Sequence, residues 1–449
     1  MRANSIIVEY RAISLVKSYE NSAHIHNRAQ HRKVKKFIER YGQLAPIIID
    51  DHNTIVDGHL VRDIIEELGY DEIAVVVVKS RAPEEVRAIR LALNRLPEDS
   101  KWNDRKLKED FKFFLDIGFD IELTGFDSVE IDMVLSIDNI DNGIVEDPIT
   151  PPQRSSIPVS RPGDFWLLGE HRILCGDARG QQSAYALFDG EYARMMFTDP
   201  PYNVRIDRNV TGLGQTRHRE FAMASGEMSE NEFKEFLLAF LTSSTSVLRD
   251  GAIAYVCIDW RHVDQLIETG KNAGFELKNL IAWIKTNAGM GSFYRSQHEL
   301  IPVFKWGEAT HLNNFELGQK GRSRSNVWQY AGMNTFSADR DKLLKEHPTI
   351  KPVALVADAI KDVSLRQDIV FDPFLGSGTT VIAAEETGRR CYGIELDPVY
   401  TDLAIKRWQD ATGYDAVHSG SNLSLKQIEE IRNHETLLLP PPTSMEGEE

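Results

Sequence analysis

Residues 368–395, DIVFDPFLGSGTTVIAAEETGRRCYGIE, constrain the fold more than any other stretch of the chain. An apolar run ends in Gly-x-Gly, opens a helix and leads into a second apolar run. That is the strand–turn–helix–strand unit of a mostly parallel sheet. Such a turn lets a ligand approach the backbone at the helix N-terminus. Glu395 lies nineteen positions beyond Gly376, at the end of the next strand, where an acid can hold two ribose hydroxyls. Gly-x-Gly alone is equally a tight turn with no ligand. A dinucleotide site needs a third glycine for close helix packing, and Val381 stands there. A ligand with a ribose but no pyrophosphate suits the pattern better, and S-adenosylmethionine is such a ligand.

A second stretch, MMFTDPPYNV at 195–204, puts an acid, two prolines and a tyrosine directly after an apolar run. Prolines lack the ladder N–H, and an acid is costly at the end of a buried strand. A turn accounts for the four residues one at a time, since Asp accepts local N–H bonds and Pro fixes φ. Together they also suit methylation of a nucleobase amine. Such an amine is a poor nucleophile because its lone pair is delocalised into the ring. Asp199 supplies a carboxylate, and the Pro200–Pro201 pair a rigid carbonyl, to accept its two protons. Tyr202 supplies a ring to stack on a base taken out of the helix.

A chain of 449 residues exceeds one core and suggests roughly two to four domains. Residues 1–100 alternate helical and strand patterns, as a small α/β unit. Residues 101–160 read as a helical segment and an acidic, then Pro/Ser-rich linker. Longer strand–helix alternation occupies 161–425, and 426–449 is a tail whose last ten residues are expected to be disordered. No apolar run reaches the length of a membrane span, and the start lacks an export cleavage site, so a cytoplasmic protein is expected. Three dispersed cysteines, Cys175, Cys257 and Cys391, fit buried thiols better than disulfides or a metal site. His24, His26 and His31 lie in a polar helix start and read as a solvated face. The net charge of −16 argues against a polyanionic partner, except that GQKGRSRSN at 318–326 is locally basic.

TDPPY, followed later by FDPFLGSGTT and GIELDPVY, resembles the beta class of amino-methylating DNA methyltransferases, in which the catalytic motif precedes the cofactor motif. The likeness covers about 161–420 and implies a doubly wound α/β methyltransferase sheet with S-adenosylmethionine as cofactor. It implies that Asp199, Pro200, Pro201 and Tyr202 hold the target base. The cofactor would lie against Phe371, Asp372, Pro373, Gly376, Ser377, Gly378, Thr379 and Glu395. LCGDA places Asp177 at the family's acid that contacts the cofactor adenine, and HPTIKP places Lys351 facing the cofactor. The aspartate of the tetrapeptide favours adenine N6; a serine is more usual for cytosine N4. Residues 286–346 resemble the family's DNA-reading segment, with Lys320, Arg322 and Arg324 as candidate contacts to double-stranded DNA and Trp328 or Tyr330 packing in the core or touching DNA. A restriction partner and a homodimer are compatible with the likeness.

GQLAPIIIDDHNTIVDGHLVRDIIEELG, with LALNRL at 91–96, resembles the ParB and sulfiredoxin-like fold. In that family a Gly-His-x-Arg turn binds nucleotide phosphate. Gly58 and His59 match, but Val61 stands where the arginine is expected and Arg62 follows one place late. One residue turns a helical side chain by about 100°, which argues for DNA docking or an architectural role over nucleotide hydrolysis. Two alternatives to adenine-N6 methylation stay open: cytosine-N4 methylation, and a ParB-like DNA-binding protein with an inactive methyltransferase half.

Overall fold

The computed structural model describes residues 6–20, 26–136, 157–204, 226–286, 294–315, 324–330 and 351–438. The chain divides into two units, Met1–Asp141 and Asn142–Glu449.

Unit one carries strands β1 (Val8–Ala12), β2 (Ile47–Asp50), β3 (Ile55–Asp57) and β4 (Glu72–Val78) in the order β1-β4-β2-β3. Helix α1 (Arg28–Tyr41) is capped by the Asn27 side chain and stops at Gly42, whose φ is +73°. Helix α2 (His59–Glu67) sets Leu60, Ile64 and Ile65 against Ile47, Ile49, Ile55 and Val75. Gly58 cannot be replaced cheaply, since a Cβ there would lie 2.5 Å from Ile47 Cγ2. Helix α3 (Pro83–Arg95) follows.

Helices α4 (Asp104–Asp116) and α5 (Ser128–Leu135) form a small cluster around Leu107, Phe111, Ile121 and Ile131. They belong to unit one, which runs through the helical segment to Asp141, within the 101–160 helical-and-linker stretch read from the sequence. The reason is a set of pairs that α1 makes with that segment: Lys36 Nζ lies 2.7 Å from Asp120, and Lys33 Nζ 3.4 Å from Glu130.

Unit two is built on an eleven-stranded sheet in the order β11-β9-β10-β8-β7-β12-β13-β6-β5-β14-β15. Its centre is five parallel strands: β6 (His171–Cys175), β7 (Ala193–Thr198), β8 (Leu248–Val256), β12 (Ile369–Asp372) and β13 (Arg390–Glu395). Met195, Met196 and Phe197 are all buried because helices cover both faces. One layer is α6 (Gln181–Phe188), α7 (Glu230–Thr245) and α8 (Val263–Asn272), which bury Phe188, Phe236, Phe240 and Leu266. The other is α9 (Val353–Val363), α10 (Thr379–Thr387) and α11 (Pro398–Thr412), which bury Ile360, Val381, Ile405 and Trp408. Ser229 and Glu232 form the capping box of α7, and Asp397 caps α11 ahead of Pro398, each cap contributing about 1 kcal/mol.

Antiparallel strands extend both ends. β9 (Glu276–Ile284) and β10 (His298–Lys305) continue the sheet beyond β8, with β11 (Val327–Gln329) at the rim. The described part of the expected DNA-reading segment contributes two strands to the sheet: β10 pairs along β9, and Trp328 of β11 is buried against Tyr255. At the other end lie β5 (Phe165–Leu168), β14 (Val417–His418) and β15 (Leu423–Ser424). Helix α12 (Leu425–Leu438) then buries Ile428, and Arg432 pairs with Asp164. The start of the expected tail is thus docked structure; residues 439–449, with the end expected to be disordered, lie outside the described residues.

Candidate active site

The carboxyl ends of β6, β7, β12 and β13 converge where the strand order reverses, with β8 on one side of β7 and β12 on the other. In open α/β sheets ligands bind at such a switch point. Its two halves are joined by one buried carboxylate. Asp372, at the end of β12, accepts the Thr198 hydroxyl from the end of β7 at 2.9 Å and the Thr380 hydroxyl from α10 at 2.6 Å. It also accepts the Phe374 N–H at 3.1 Å. Burial pushes its carboxyl up to about 6, although those hydrogen bonds pull it down. At 4% exposure Asp372 staples the turn together from inside.

Around the glycine turn, Gly378 has φ +84°, and a Cβ there would meet Ala404 Cβ of α11 at 2.8 Å. It is glycine so that α10 can approach α11. Gly376, at φ +54°, faces open space, with nothing within 4 Å of a Cβ. Glu395 accepts the Gly376 N–H at 2.7 Å and the Asp397 N–H at 2.8 Å. Burial pushes its carboxyl up to about 7. The Ser377 carbonyl accepts a 2.7 Å hydrogen bond from buried Arg407 on α11, a support that sequence reasoning missed. Phe371 packs in the core, Pro373 is buried and Thr379 starts α10, so Gly376, Ser377 and Glu395 are the more open members of the expected set. Asp177, just beyond β6, is paired with Arg179 at 2.7 Å; burial raises its carboxyl and Arg179 more than offsets that, leaving it below its usual range.

The base-side group departs most from expectation. Asp199 receives the Lys351 ammonium at 2.5 Å and the Tyr202 hydroxyl. Lys351 also lies 3.0 Å from Glu299 on β10, and the other Glu299 oxygen lies 2.5 Å from Lys285, just past β9. The Tyr202 hydroxyl reaches Glu299 at 3.3 Å. Lys351 is thus held between two carboxylates, where the sequence expectation has it facing a cofactor. Burial works against its charge, but Asp199 and Glu299 raise it well above the ordinary lysine value. Burial, offset in part by Lys351 and reinforced by Glu299, raises Asp199. Glu299 is raised by burial too, but Lys351 and Lys285 outweigh this and hold it at about 2. Neither Glu299 nor Lys285 was singled out from the sequence; the one signal was an acid near the start of an otherwise apolar run, HELIPVF.

The basic candidates fare differently. Lys320 and Arg322 lie outside the described residues. Arg324 is a correction: it pairs with Asp358 and Asp362, each at 3.1 Å, and stacks over Trp328, inside the unit rather than towards DNA. The segment needed a charge to neutralise two α9 carboxylates, which composition could not show. His26 bonds Gln30, His31 lies 3.1 Å from Glu67, and His24 is outside the described residues. The three cysteines are buried free thiols. Among the described residues no helix is long and apolar enough to cross a membrane.

Unit two thus brings a glycine turn, the Glu395 carboxylate at the end of the next strand and Asp-Pro-Pro-Tyr to the same edge of a doubly wound sheet. Residues 193–406 match the N6/N4 methyltransferase family, described as DNA methylase. Type II methyltransferase M2.MboI of Moraxella bovis is 25% identical over 229 residues, 49% of this chain and 81% of its own. Type II methyltransferase M.HpaI of Haemophilus parainfluenzae is 25% identical over 263 residues, 55% of this chain and 77% of its own. Among solved structures, M1.HpyAVI in complex with S-adenosylmethionine is 22% identical with a TM-score of 0.38, over 52% of this chain and 98% of that one. Residues 193–406 of unit two are thus similar to the DNA methylases of the N6/N4 family.

Proposed function

We propose that this chain methylates the exocyclic N6 amine of adenine in double-stranded DNA, after the base leaves the helix. The observation that carries the reading is Asp199: its carboxylate ends β7 beside the strand whose glycine turn is open at Gly376. The Gly376–Gly378 turn would hold the methionine part of S-adenosylmethionine, Glu395 its ribose and Asp177 its adenine. The residues fit such a group, since a Cβ at Gly376 would enter open space and Glu395 is held only by backbone N–H groups among the hydrogen bonds described. Bound there, S-adenosylmethionine supplies a methyl carbon on a sulfonium, whose C–S electron pair stays with sulfur. The Asp199 carboxylate and the Pro200 carbonyl would accept hydrogen bonds from the two amine N–H groups and steer the nitrogen lone pair, and Asp199 would take the proton the nitrogen loses. The Tyr202 ring offers a stacking face while its hydroxyl is anchored on Asp199.

Unit one fits a ParB-like domain that docks DNA. Val61, where the family's arginine is expected, packs against its core, and the Arg62 guanidinium is drawn 2.8 Å from Glu66, engaged by a carboxylate rather than open to a phosphate. Lys320 and Arg322 remain candidate DNA contacts, worth a salt slope of up to about 0.9 each.

The test is methyl transfer from labelled S-adenosylmethionine to unmethylated bacterial chromosomal DNA, followed by digestion to nucleosides and mass spectrometry. N6-methyldeoxyadenosine is expected; N4-methyldeoxycytidine would overturn the choice of base. Asp199→Ala should lose at least about 100-fold in rate with cofactor affinity within twofold of wild type.

A further inference from the structure

Lys351 is 5% exposed and lies between two carboxylates, 2.5 Å from Asp199 and 3.0 Å from Glu299. A buried ammonium that loses its counter-charge is strongly destabilised. Were Asp199 its sole partner, protonating Asp199 would strand that charge, so Asp199 would be a poor proton acceptor. The amine of a base must give up one proton when its nitrogen bonds the methyl carbon, and Asp199 is the group placed to take it. Glu299 resolves the conflict. Its second oxygen lies 2.5 Å from Lys285, and the two lysines together keep Glu299 ionised while Asp199 changes charge. We propose that Glu299 is a positioning residue for methyl transfer: by sharing the Lys351 ammonium it leaves the Asp199 carboxylate basic enough to accept the amine proton. This rests on the methyltransferase reading of the Asp199 site.

The charged and titratable groups facing this point come from every element around it. They are Asp199 and Tyr202 after β7, Cys257 after β8, Lys285 after β9, Glu299 on β10, Lys351 before α9 and Asp372 at the end of β12. The Cys257 thiol is buried and raised, hence neutral, and Asp372 is spent on Thr198 and Thr380. Among the described residues, Glu299 is therefore the group whose removal shifts the whole Lys351 charge onto Asp199.

The full chain, labelled with 13C at aspartate carboxyl carbons, gives a direct readout. The resonance that disappears in Asp199→Asn belongs to Asp199, and its titration midpoint is followed in each variant. Glu299→Gln should lower that midpoint by about one pH unit or more, and Glu299→Asp, which keeps the charge, should return it most of the way. In parallel, the acid limb of the single-turnover rate on unmethylated chromosomal DNA should move to lower pH, with the plateau rate reduced at least tenfold and cofactor affinity within twofold. An unmoved Asp199 midpoint in Glu299→Gln overturns the inference, as does a rate loss that Glu299→Asp fails to recover. A lowered midpoint in Glu299→Gln, with a wild-type protein that methylates no DNA, would instead sink the methyltransferase reading and leave the coupling standing.

Discussion

Replacing each of the two turn glycines with alanine should separate their roles. At Gly378 the new Cβ would sit 2.8 Å from Ala404 Cβ and 3.0 Å from its Cα. Both contacts belong to the α11 framework, so no side-chain rotation relieves them. The φ of +84° adds a left-handed penalty of about 1–2 kcal/mol, and overpacking adds about 1–3 kcal/mol. Gly378→Ala should therefore lose about 2–5 kcal/mol of stability by the sum of those two terms. At Gly376 the φ of +54° carries the left-handed penalty, yet nothing lies within 4 Å of the new Cβ. Gly376→Ala should cost only about 1–2 kcal/mol while its methyl group fills the face a ligand approaches. Its affinity for S-adenosylmethionine should drop at least tenfold, about 1.4 kcal/mol or more. Urea unfolding followed by tryptophan fluorescence reads the first effect, because Trp166, Trp283, Trp328 and Trp408 are all buried in unit two. Calorimetric titration reads the second. Equal stability losses, or a Gly376→Ala protein that binds cofactor like wild type, would refute the division.

Glu395 gives a pH signature: its folded carboxyl is raised from the ordinary 4.5 to about 7, so the folded state keeps a proton that the unfolded state releases. Stability should decline as pH rises between those values, with Asp372, raised to about 6, adding to the decline. Cofactor affinity should strengthen across the same window as the carboxylate ionises, and Glu395→Gln should flatten both trends. A wild-type affinity that is level from pH 5 to 8 would refute the ribose role. Arg324→Ala should cost about 3 kcal/mol in urea unfolding, because it withdraws a guanidinium from between two carboxylates of α9. The slope of log DNA affinity against log salt should be unchanged; a lower slope at wild-type stability would put Arg324 back on DNA.

Sequence alone determined the parts of this protein that are local. The 3.6 and 2 periodicities, the Ser229–Glu232 box, the Asp397–Pro398 start and the glycines ending α1 and opening α10 act over a few residues. They suffice to place β7, β12, β13 and the helix after each glycine, and with them the Asp199 and Glu395 ends of strands. What lies between distant segments was decided by tertiary structure. Glu299 reaches Asp199 only because β10 runs antiparallel beside β8, which in turn lies parallel to β7. Nothing within HELIPVF encodes that neighbour. Lys351 likewise met two acids from strands 152 and about 50 positions away, and Arg324 met α9 instead of solvent. A charged residue reads the same in sequence whether it faces DNA or a buried carboxylate, since its role is set by the charge that folding brings opposite it.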